Sequence, residues 1–384
     1  MKIGVLTYHR VVNLGSVIQA WCVVEIAKKL YPDAQVEVID YQARKMQFME
    51  LRKYVGLRPL RINKRHLEKK KTLDNFVKCC LPISKEACIT NSSPKAMTWL
   101  KKRNYDMIFV GSDTVWELRH GSYSPEGSNL YFLPGEMKST KVSISASMDP
   151  LGNLTEKQKR EQEERIGHLR DFDLLSVRDK VTLKELEKKV GSKRTVLKIP
   201  DPTLMNGLEK LLHVTPPFKP ASRPVAGVAL PRDLSECAHK ALNELGYEVW
   251  DWNGHSTQYT SRVLSPRFSP QEVLALHAQV DAFVTDRFHG SIFCLIQKTI
   301  PVLFFESPKK WPMSNSKGRD LFEMLDLENF VFRERSKLEK TDWLRSMLED
   351  ESISKLNIPA KMKKIGFENL EILRIALNDI KEKK

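Results

Sequence analysis

The sequence predicts two doubly wound α/β domains. Short apolar strands alternate with helical segments along most of the chain, which is the pattern of mostly parallel sheets. The alternation stops at a proline-rich stretch near the middle and then starts again. With 384 residues, 41% of them hydrophobic, the chain is long enough to bury two cores.

The first elements form a βα unit. Residues 2–7 favour a strand, and the polar residues 8–15 favour a loop. Ser16 can cap a helix that runs to Leu30. A second strand is predicted at 36–40. The chain therefore begins as a parallel α/β sheet.

A strongly basic segment follows, from Arg44 to Lys78, inside a predicted helical insertion over about 44–104. One interpretation is a solvated helical insertion. The other is a surface that docks on anionic lipid or on a lipid-linked diphosphate, attracted by about 1 kcal/mol for each basic residue near such a surface. The composition leaves both interpretations open. The basic residues are Arg52, Lys53, Arg58, Arg61, Lys64, Arg65, Lys69, Lys70 and Lys71.

Four more strands and two helices complete the first predicted domain, which spans 1–212. The strands are predicted at 106–110, 142–146, 174–177 and 196–199, and the helices at 156–169 and 180–190. Residues 213–224 read HVTPPFKPASRP and lack periodicity, which is typical of a linker.

The alternation restarts in a second predicted domain, 225–335. Its strands are predicted at 225–230, 248–252, 282–285 and 301–305, with helices at 235–245, at 271–278 and from 288. The segment 336–384 then predicts helices at 342–348 and 361–377, one of which could brace the first domain. Apolar residues recur at helical spacing in the second of these, namely Phe367, Leu370, Leu373 and Leu377.

Composition narrows the function classes. A net charge of +15 implies anionic partners, yet the sequence has no zinc finger, RNA-binding signature or basic leucine zipper, so we expect no nucleic acid. The six cysteines form no Cys-x-x-Cys pair, which disfavours disulfides and zinc. The opening residues do not resemble a signal peptide, and no apolar run is long enough to span a membrane. We therefore expect a cytoplasmic protein.

Cations and a histidine follow the predicted strands, where open α/β sheets bind ligands. Arg287 and His289 stand at a strand-to-helix turn, which suits anion binding and proton transfer. Alternatively, Arg287 pairs with Asp286 and His289 is a core histidine. Arg178 follows a strand of the other domain, and the pair Lys309 and Lys310 follows the strand after the histidine turn. Together these residues outline a cleft for a small polyanion such as phosphoenolpyruvate.

The other strand ends carry small and polar residues. Gly111 allows a ligand to approach the backbone, Asp113 can orient sugar hydroxyls, and Trp116 can stack on a sugar face. Turn chemistry and a buried tryptophan are the structural alternatives. The pair Asp201-Pro202 favours a turn.

At these positions the sequence resembles the polysaccharide pyruvyl transferases, whose members share a bilobal fold like that of the GT-B glycosyltransferases. The resemblance therefore implies two Rossmann-like domains with an interdomain cleft. The matching residues are Tyr8, Asn13-Leu14-Gly15-Ser16, Gln19, Asp40-Tyr41, Gly111-Ser112-Asp113, Trp116, Ser145-Ala146-Ser147, Ser176-Val177-Arg178, Asp201-Pro202 and Arg287-Phe288-His289-Gly290.

The resemblance also implies roles. His289 is the acid/base and shares the catalytic site with Arg287, while Arg178 and Lys309, or its neighbour Lys310, help to bind phosphoenolpyruvate. An acceptor sugar, which could be lipid-linked, is implied at a second set of residues, with peripheral contact to an anionic membrane as a further expectation. That set is Tyr8, Asn13, Gly15, Ser16, Gly111, Ser112, Asp113, Trp116 and Ser147.

Three departures from the family pattern concern the acceptor. Ile144 stands where tyrosine is common, Met148-Asp149 replaces Phe-Gly, and Thr114 replaces a frequent glutamine. The expected reaction protonates the methylene carbon of phosphoenolpyruvate, and sugar hydroxyls then replace phosphate to form a ketal. This scheme needs neither metal nor cofactor.

Two other functions compete with this interpretation. A GT-B glycosyltransferase would use a nucleotide sugar and would need a carboxylate that grips the ribose in the second domain. A non-catalytic module would bind anionic glycan or membrane through its basic surface, and it would need no positioned histidine.

Overall fold

The computed structural model divides the chain into two compact units by its internal contacts. Unit 1 comprises Met1–Asn206 together with Gly366–Lys384, and unit 2 comprises Gly207–Ile365. The predicted linker 213–224 lies within unit 2, after the boundary between Asn206 and Gly207. The residues that the structure describes are 1–55, 63–116, 130–148, 155–190, 195–206, 208–219, 221–311 and 315–382.

Strands and helices alternate through both units. The strands are β1 (Lys2–Leu6), β2 (Gln35–Val38), β3 (Tyr41–Gln42), β4 (Cys88–Ile89), β5 (Met107–Val110), β6 (Thr140–Ser143), β7 (Leu175–Val177), β8 (Val196–Lys198), β9 (Val225–Ala229), β10 (Glu248–Asp251), β11 (Arg262–Val263), β12 (Ala282–Thr285), β13 (Val302–Phe305) and β14 (Val331–Phe332). The helices are α1 (Leu14–Leu30), α2 (Arg44–Val55), α3 (Lys64–Cys80), α4 (Ser93–Lys101), α5 (Glu156–His168), α6 (Lys180–Val190), α7 (Pro202–Asn206), α8 (Arg232–Glu244), α9 (Pro270–His277), α10 (Phe288–Leu295), α11 (Lys317–Met324), α12 (Thr341–Leu348), α13 (Glu351–Ser354) and α14 (Ile358–Glu382).

Unit 1 is built on a parallel sheet with the strand order β2-β1-β5-β6. Single bridges from Val142 to Leu174 and from Ala146 to Val177 join it to the parallel pair β7 and β8. Apart from Lys2 at the start of β1, the central strands β1 and β5 are apolar and buried, because helices cover parallel sheets on both faces. The strand order reverses between β1 and β5, so the carboxyl ends of these two strands flank the expected binding position.

Unit 2 has a six-stranded parallel sheet in the order β11-β10-β9-β12-β13-β14. Counted along unit 2, this is 3-2-1-4-5-6, the strand order of Rossmann folds. Its order reverses between β9 and β12. The four longest strands were all predicted, whereas the two-residue strands β11 and β14 were not, since so short a run has no readable period.

Two local predictions need correction. Helix α1 is capped by Asn13, whose side chain accepts a hydrogen bond from Gly15 N at 3.0 Å, and not by Ser16. In α14, Leu370, Leu373 and Leu377 are buried as expected, but Phe367 is 65% exposed. The buried stripe instead includes Gly366, where a β-carbon would lie 2.1 Å from the Leu204 carbonyl oxygen. Phe367 lies about 100° round the helix from that contact.

No helix in the described part of the chain is both long enough and apolar enough to cross a membrane.

Candidate active site

The backbone at the switch point of unit 1 adopts unusual conformations. Gly111, directly after β5, has φ 111°, and a β-carbon there would lie 2.5 Å from the Ile144 carbonyl oxygen. Asp113 and Ser145, which carry side chains, also have positive φ, at 80° and 50°. Such conformations cost about 1–3 kcal/mol each and are concentrated at functional sites. The residues after β5 and β6 are therefore functional candidates on backbone geometry as well as on sequence.

Asp113 is held in place by several donors. One carboxylate oxygen accepts a hydrogen bond from the Ser16 hydroxyl, and the other accepts one from Thr114 N at 2.7 Å. Arg178 Nη2 lies 3.5 Å from that second oxygen. The side chain is 10% exposed, so the carboxylate has a fixed orientation and limited access to a ligand.

Arg178 lies beneath Asp113 and is 1% exposed at its side chain. Its Nη1 donates to Asp201 Oδ2 at 2.8 Å. Burial disfavours its charge, but the nearby carboxylates of Asp201, Asp113 and Asp179 outweigh this and raise the pKa of Arg178. The resemblance implied direct contact with phosphoenolpyruvate. Because the guanidinium is buried and engaged by carboxylates, we propose that Arg178 instead positions Asp113.

Asp201 combines turn chemistry with the same network. Its Oδ1 accepts hydrogen bonds from the backbone N and the hydroxyl of Thr203, as a turn requires. Its Oδ2 accepts from Gln19 Nε2 at 2.5 Å as well as from Arg178. Residues from α1, β5, β7 and the start of α7 thus form one buried polar cluster.

The prediction that Trp116 stacks on a sugar face needs correction. Trp116 is fully buried, its Nε1 donates to the Tyr131 carbonyl at 3.0 Å, and its ring packs on Phe132 and Phe172. No face of the indole is open to a sugar, so its role is to support the loop after β5.

The remaining predicted acceptor residues are divided between buried and exposed positions. Tyr8 is buried, with its hydroxyl 3.3 Å from the Thr114 carbonyl, and Ser147 is buried, donating to Asp179 at 2.5 Å. Ser112 is fully buried, and its carbonyl accepts from the Thr7 hydroxyl at 3.2 Å. Gly15 is buried in the first turn of α1, whereas Asn13 is exposed at its cap.

Sequence reasoning missed a cluster of His9, Arg10 and Asp40 after β1 and β2. Arg10 binds both oxygens of Asp40 at 2.5 Å, and His9 Nε2 lies 3.0 Å from one of them. Burial alone would raise the pKa of Asp40, but hydrogen bonds from His9 and Arg10 lower it well below its usual range. The Arg10 side chain remains 41% exposed. The signal was available, since His9 and Asp40 follow β1 and β2, which are neighbours in the sheet.

The switch point of unit 2 carries the predicted Arg-Phe-His turn. Arg287 is the N-cap residue of α10, and its backbone N donates to the Thr285 hydroxyl at 2.9 Å. Its side chain is 58% exposed, and its Nε lies 3.1 Å from Asp286 Oδ1. The pairing with Asp286 therefore exists, but it uses only Nε. Within the described residues, the two terminal nitrogens make no hydrogen bond, so both can meet an anion.

His289 lies in the first turn of α10 and is half-buried. Its ring is 5.1 Å from the ring of Phe288 and 6.0 Å from that of Phe293. These aromatic neighbours pack around the imidazole in the first turn of α10.

Lys309 and Lys310 lie in the segment after β13 and are exposed. Burial raises the pKa of Asp286, while the charges of Arg287 and Lys310 oppose the rise. Lys317, which the sequence analysis did not single out, lies with Nζ 5.8 Å from the centre of the Phe288 ring.

A buried glutamate organises the loop that carries these lysines. Glu306, directly after β13, accepts from Ser316 N at 3.0 Å with one oxygen. Its other oxygen lies 3.3 Å from Arg319 Nη2 and 3.2 Å from Arg333 Nη1. Arg333 also donates to the Trp311 carbonyl at 2.7 Å. Glu306, at the start of the segment between β13 and α11, thus binds Ser316 at its end.

Among the residues that the structure describes, no group of three or more His, Cys, Asp or Glu side chains is arranged to hold a metal ion.

Two Rossmann-type units, each with polar residues at its switch point, place this chain in the GT-B class of folds. Solved structures agree. UDP-GlcNAc 2-epimerase of Neisseria meningitidis aligns with a TM-score of 0.57 at 12% identity, over 99% of this chain and 100% of its own. The Methanocaldococcus jannaschii UDP-GlcNAc 2-epimerase gives 0.54 at 12% identity, over 97% and 99%. A variant O-GlcNAc transferase of Thermobaculum terrenum gives 0.50 at 12% identity, over 99% and 66%.

Sequence comparison narrows the class to a family. No curated protein sequence is significantly similar to this chain. The family model of the polysaccharide pyruvyl transferases, however, matches residues 13–306, a span from the cap of α1 to the buried glutamate after β13. The chain belongs to the polysaccharide pyruvyl transferase family.

Proposed function

We propose that this protein transfers a pyruvyl group from phosphoenolpyruvate to two hydroxyls of a sugar, forming a ketal on a cell-surface glycan precursor. One observation carries the proposal. An exposed arginine and a half-buried histidine occupy the turn at the switch point of unit 2, where this fold class binds its ligands, and Lys317 Nζ lies 5.8 Å from the ring of Phe288 in the same turn.

The proposed donor site matches the charges of phosphoenolpyruvate. The terminal nitrogens of Arg287 can bind a carboxylate or phosphate through two parallel hydrogen bonds. The amino end of α10 adds a partial positive charge at the same turn. Lys310 and Lys317 supply point charges for the second anionic group, with Lys309 as an exposed neighbour. Fixed cations of this kind stabilise the charge that develops on departing phosphate.

His289 is the proposed proton donor. Protonation of the methylene carbon by His289 makes C2 of phosphoenolpyruvate electrophilic. A sugar hydroxyl then forms a C–O bond to C2 and returns its proton to His289. The bond from C2 to the phosphate oxygen breaks, and phosphate leaves with its electron pair. A second hydroxyl of the sugar attacks C2 and closes the ketal, while its proton passes to a base or to the departed phosphate. General acid catalysis of this type contributes about 10²–10⁴-fold in rate.

We assign the acceptor to unit 1. Asp113 is fixed by Ser16 and Thr114, and 10% of its side chain is exposed, which leaves room for it to orient one sugar hydroxyl. Positive φ at Asp113 and the close approach at Gly111 supply a shaped backbone for the acceptor. Trp116 is left out of this set because it is fully buried.

A specific observation disfavours the nucleotide-sugar alternative. A GT-B glycosyltransferase needs a free carboxylate in its second domain to grip the ribose. Glu306 is the carboxylate that follows β13, and its side chain is fully buried against Arg319, Arg333 and Ser316 N. It is therefore engaged within unit 2 and cannot serve a ribose without breaking those bonds.

The test is phosphate release from phosphoenolpyruvate across a panel of lipid-linked and nitrophenyl sugars, followed by mass spectrometry of the sugar. We expect stoichiometric phosphate and a mass gain equal to one pyruvyl ketal. Phosphate release without such a gain, or no release with any acceptor while a nucleotide sugar is consumed, contradicts the proposal.

Two variants locate the chemistry, each with a matched control. His289→Gln should lower turnover by about 10²-fold or more with unchanged melting, since glutamine keeps polarity but cannot deliver the proton. The control is His213→Gln, at an exposed histidine near the start of unit 2. Normal turnover in His289→Gln rules out His289 as the proton donor.

Arg287→Ala should chiefly weaken phosphoenolpyruvate binding. Its control is Arg335→Ala, at an arginine of the same unit that is 53% exposed.

A further inference from the structure

Helix α2 exposes large apolar side chains beside basic ones. Phe48 is 57% exposed, Leu51 is 50% exposed and Met49 is 37% exposed. Such side chains are costly in water when they lie together, and exposed apolar patches mark surfaces that bind something. We call the exposed side of this helix the α2 face, which consists of Arg44, Lys45, Phe48, Met49, Leu51 and Arg52.

The geometry of the helix explains why these residues face outward. Met46 and Glu50, one turn apart, are the buried residues of α2, at 3% and 4% exposure. Phe48 lies two positions from each, and at about 100° per residue this places it on the opposite side of the helix. Leu51 and Met49 flank it on either side. Phe48 is therefore the outermost apolar point of the α2 face.

The charge on the α2 face has one sign. Arg44 and Arg52 lie in the same stripe as Phe48, and the Arg52 guanidinium is 5.3 Å from the centre of the Phe48 ring. The only acidic residue of α2 is Glu50, which is buried and bonded to Lys53 at 2.5 Å. No acid therefore offsets the basic residues that flank the exposed apolar ones.

The next helix adds a basic stripe. Lys64, Lys71 and Lys78 are spaced seven residues apart in α3, so they lie on one side of it, and all three are exposed. The exposed acid of α3, Asp74, is paired with Lys70. Sequence alone left both a solvated insertion and a lipid-binding surface open for this segment. The exposed Phe48, Met49 and Leu51 favour the second, since a merely solvated helix has no need of them.

We propose that the α2 face docks on an anionic lipid bilayer. Phe48, Leu51 and Met49 would enter the boundary between head groups and acyl chains, and Arg44, Lys45 and Arg52 would pair with lipid phosphates. A basic helix with an aromatic and aliphatic side is the pattern of helices that lie in the plane of a membrane surface. The basic residues of the α2 face are complementary to an anionic surface. An anionic lipid bilayer fits best because it also accepts the apolar side chains. Docking would bring the protein to lipid-linked acceptor sugars.

The experiment is co-sedimentation of the full chain with vesicles of phosphatidylglycerol and phosphatidylcholine, compared with phosphatidylcholine alone. We expect binding to the anionic vesicles only. Phe48→Ser with Leu51→Ser should lower the partition coefficient by on the order of tenfold or more, since two large side chains lose their burial. Arg44→Gln with Arg52→Gln should lower it roughly fivefold for each charge removed.

Two controls make the outcome decisive. Phe367→Ser removes an equally exposed phenylalanine from α14, and Lys184→Gln removes an exposed cation from α6. Both should bind vesicles as the parent does. If Phe48→Ser with Leu51→Ser binds as tightly as the parent, or if the two controls lose as much, adhesion comes from the overall positive charge and the proposal fails.

Light scattering tests the alternative that a second copy of the chain binds the α2 face. If the parent is an oligomer that Phe48→Ser with Leu51→Ser dissociates, the α2 face is a contact between copies of the chain, and the proposal is overturned. Vesicle binding needs no turnover, so its failure leaves the proposed pyruvyl transfer untouched, and the converse also holds.

Discussion

Arg178 and Arg287 both follow parallel strands, yet their surroundings assign them different chemistry. Arg178 is 1% exposed and bound by carboxylates, whereas Arg287 is 58% exposed and uses only Nε in its pairing with Asp286. A buried guanidinium held by carboxylates orients its partners, because moving it would leave those charges uncompensated. An exposed guanidinium is available to a ligand. We therefore propose that Arg178 is a positioning arginine in unit 1 and that Arg287 is a ligand-binding arginine in unit 2.

Substitution of Arg178 by lysine tests this separation. Lysine keeps the charge but loses the planar fork, so we expect a loss of about 2 kcal/mol in unfolding free energy. Turnover should fall because Asp113 loses its orientation, while the KM for phosphoenolpyruvate should change little. Steady-state kinetics together with denaturant unfolding measure both. A KM that rises strongly at unchanged turnover would return Arg178 to the donor site.

Asp113→Asn is the companion variant. Asparagine keeps the size and the positive-φ tolerance of the position, but it removes the charge that Arg178 and Ser16 hold. We expect weaker use of the acceptor sugar with phosphoenolpyruvate binding retained. Unchanged acceptor kinetics would mean that Asp113 is structural.

At the scale of elements, the segment from β13 to α11 depends on Glu306. Its carboxylate fixes Ser316 N and two arginines, and through Arg333 it reaches the Trp311 carbonyl. We propose that Glu306, through its contacts with Ser316, Arg319 and Arg333, is a positioning residue for the exposed lysines Lys309 and Lys310 of the proposed donor site.

Glu306→Gln should loosen this segment, because glutamine removes the negative charge that holds the two arginines, and its Nε2 donor must then face either Ser316 N or the arginine N–H groups. We expect the KM for phosphoenolpyruvate to rise by about tenfold and kcat to fall as well, because the lysines would bind the anion in the ground state and also stabilise the charge on the departing phosphate. Glu328→Gln, an exposed site in the same unit, is the control. A lower melting temperature with an unchanged KM would show a structural role only.

Helix α9 ends in a buried histidine that makes unit 2 sensitive to acid. Burial lowers the pKa of His277 to about 4, against an opposing hydrogen bond of its Nδ1 to the Val273 carbonyl at 2.7 Å. In the unfolded chain its pKa is about 6.5, so the unfolded state binds more protons between these values. Stability is fully present above pH 6.5 and is lost as pH falls towards 4.

His277→Leu removes this titration. The parent should lose on the order of 3 kcal/mol from this group between pH 6.5 and pH 4, and the variant should show a shallower decline whatever its absolute stability. Urea unfolding at several pH values gives the two slopes. Identical slopes would show that His277 is charged in the folded state or titrates normally.

At the scale of the whole molecule, the GT-B fold is shared with proteins whose solved structures hold UDP-sugars, so ligand choice has to be tested directly. Phosphoenolpyruvate at 100 times its dissociation constant should stabilise the chain by about 3 kcal/mol, which appears as a higher melting temperature. UDP-GlcNAc should give no shift. Arg287→Ala should abolish the phosphoenolpyruvate shift. A shift with UDP-GlcNAc alone would favour nucleotide-sugar chemistry.

The sequence alone determined the alternation of strands and helices and the positions of residues that follow the strands. These features are local, since strand period, helix caps and turn residues act within a few positions of each other. Arg287, His289 and Asp113 could be selected for that reason. The family resemblance along residues 1–330 followed from the same strand ends.

Only the tertiary structure decided which of these residues a ligand can reach. Trp116 and Arg178 are buried, Lys317 lies beside Phe288, and Phe48 faces solvent, although nothing in their local sequence distinguishes these outcomes. Exposure and charge pairing depend on residues far apart in the chain, as Asp113, Arg178 and Asp201 illustrate. Packing of distant segments sets both, so neither could be obtained from spacing along the sequence.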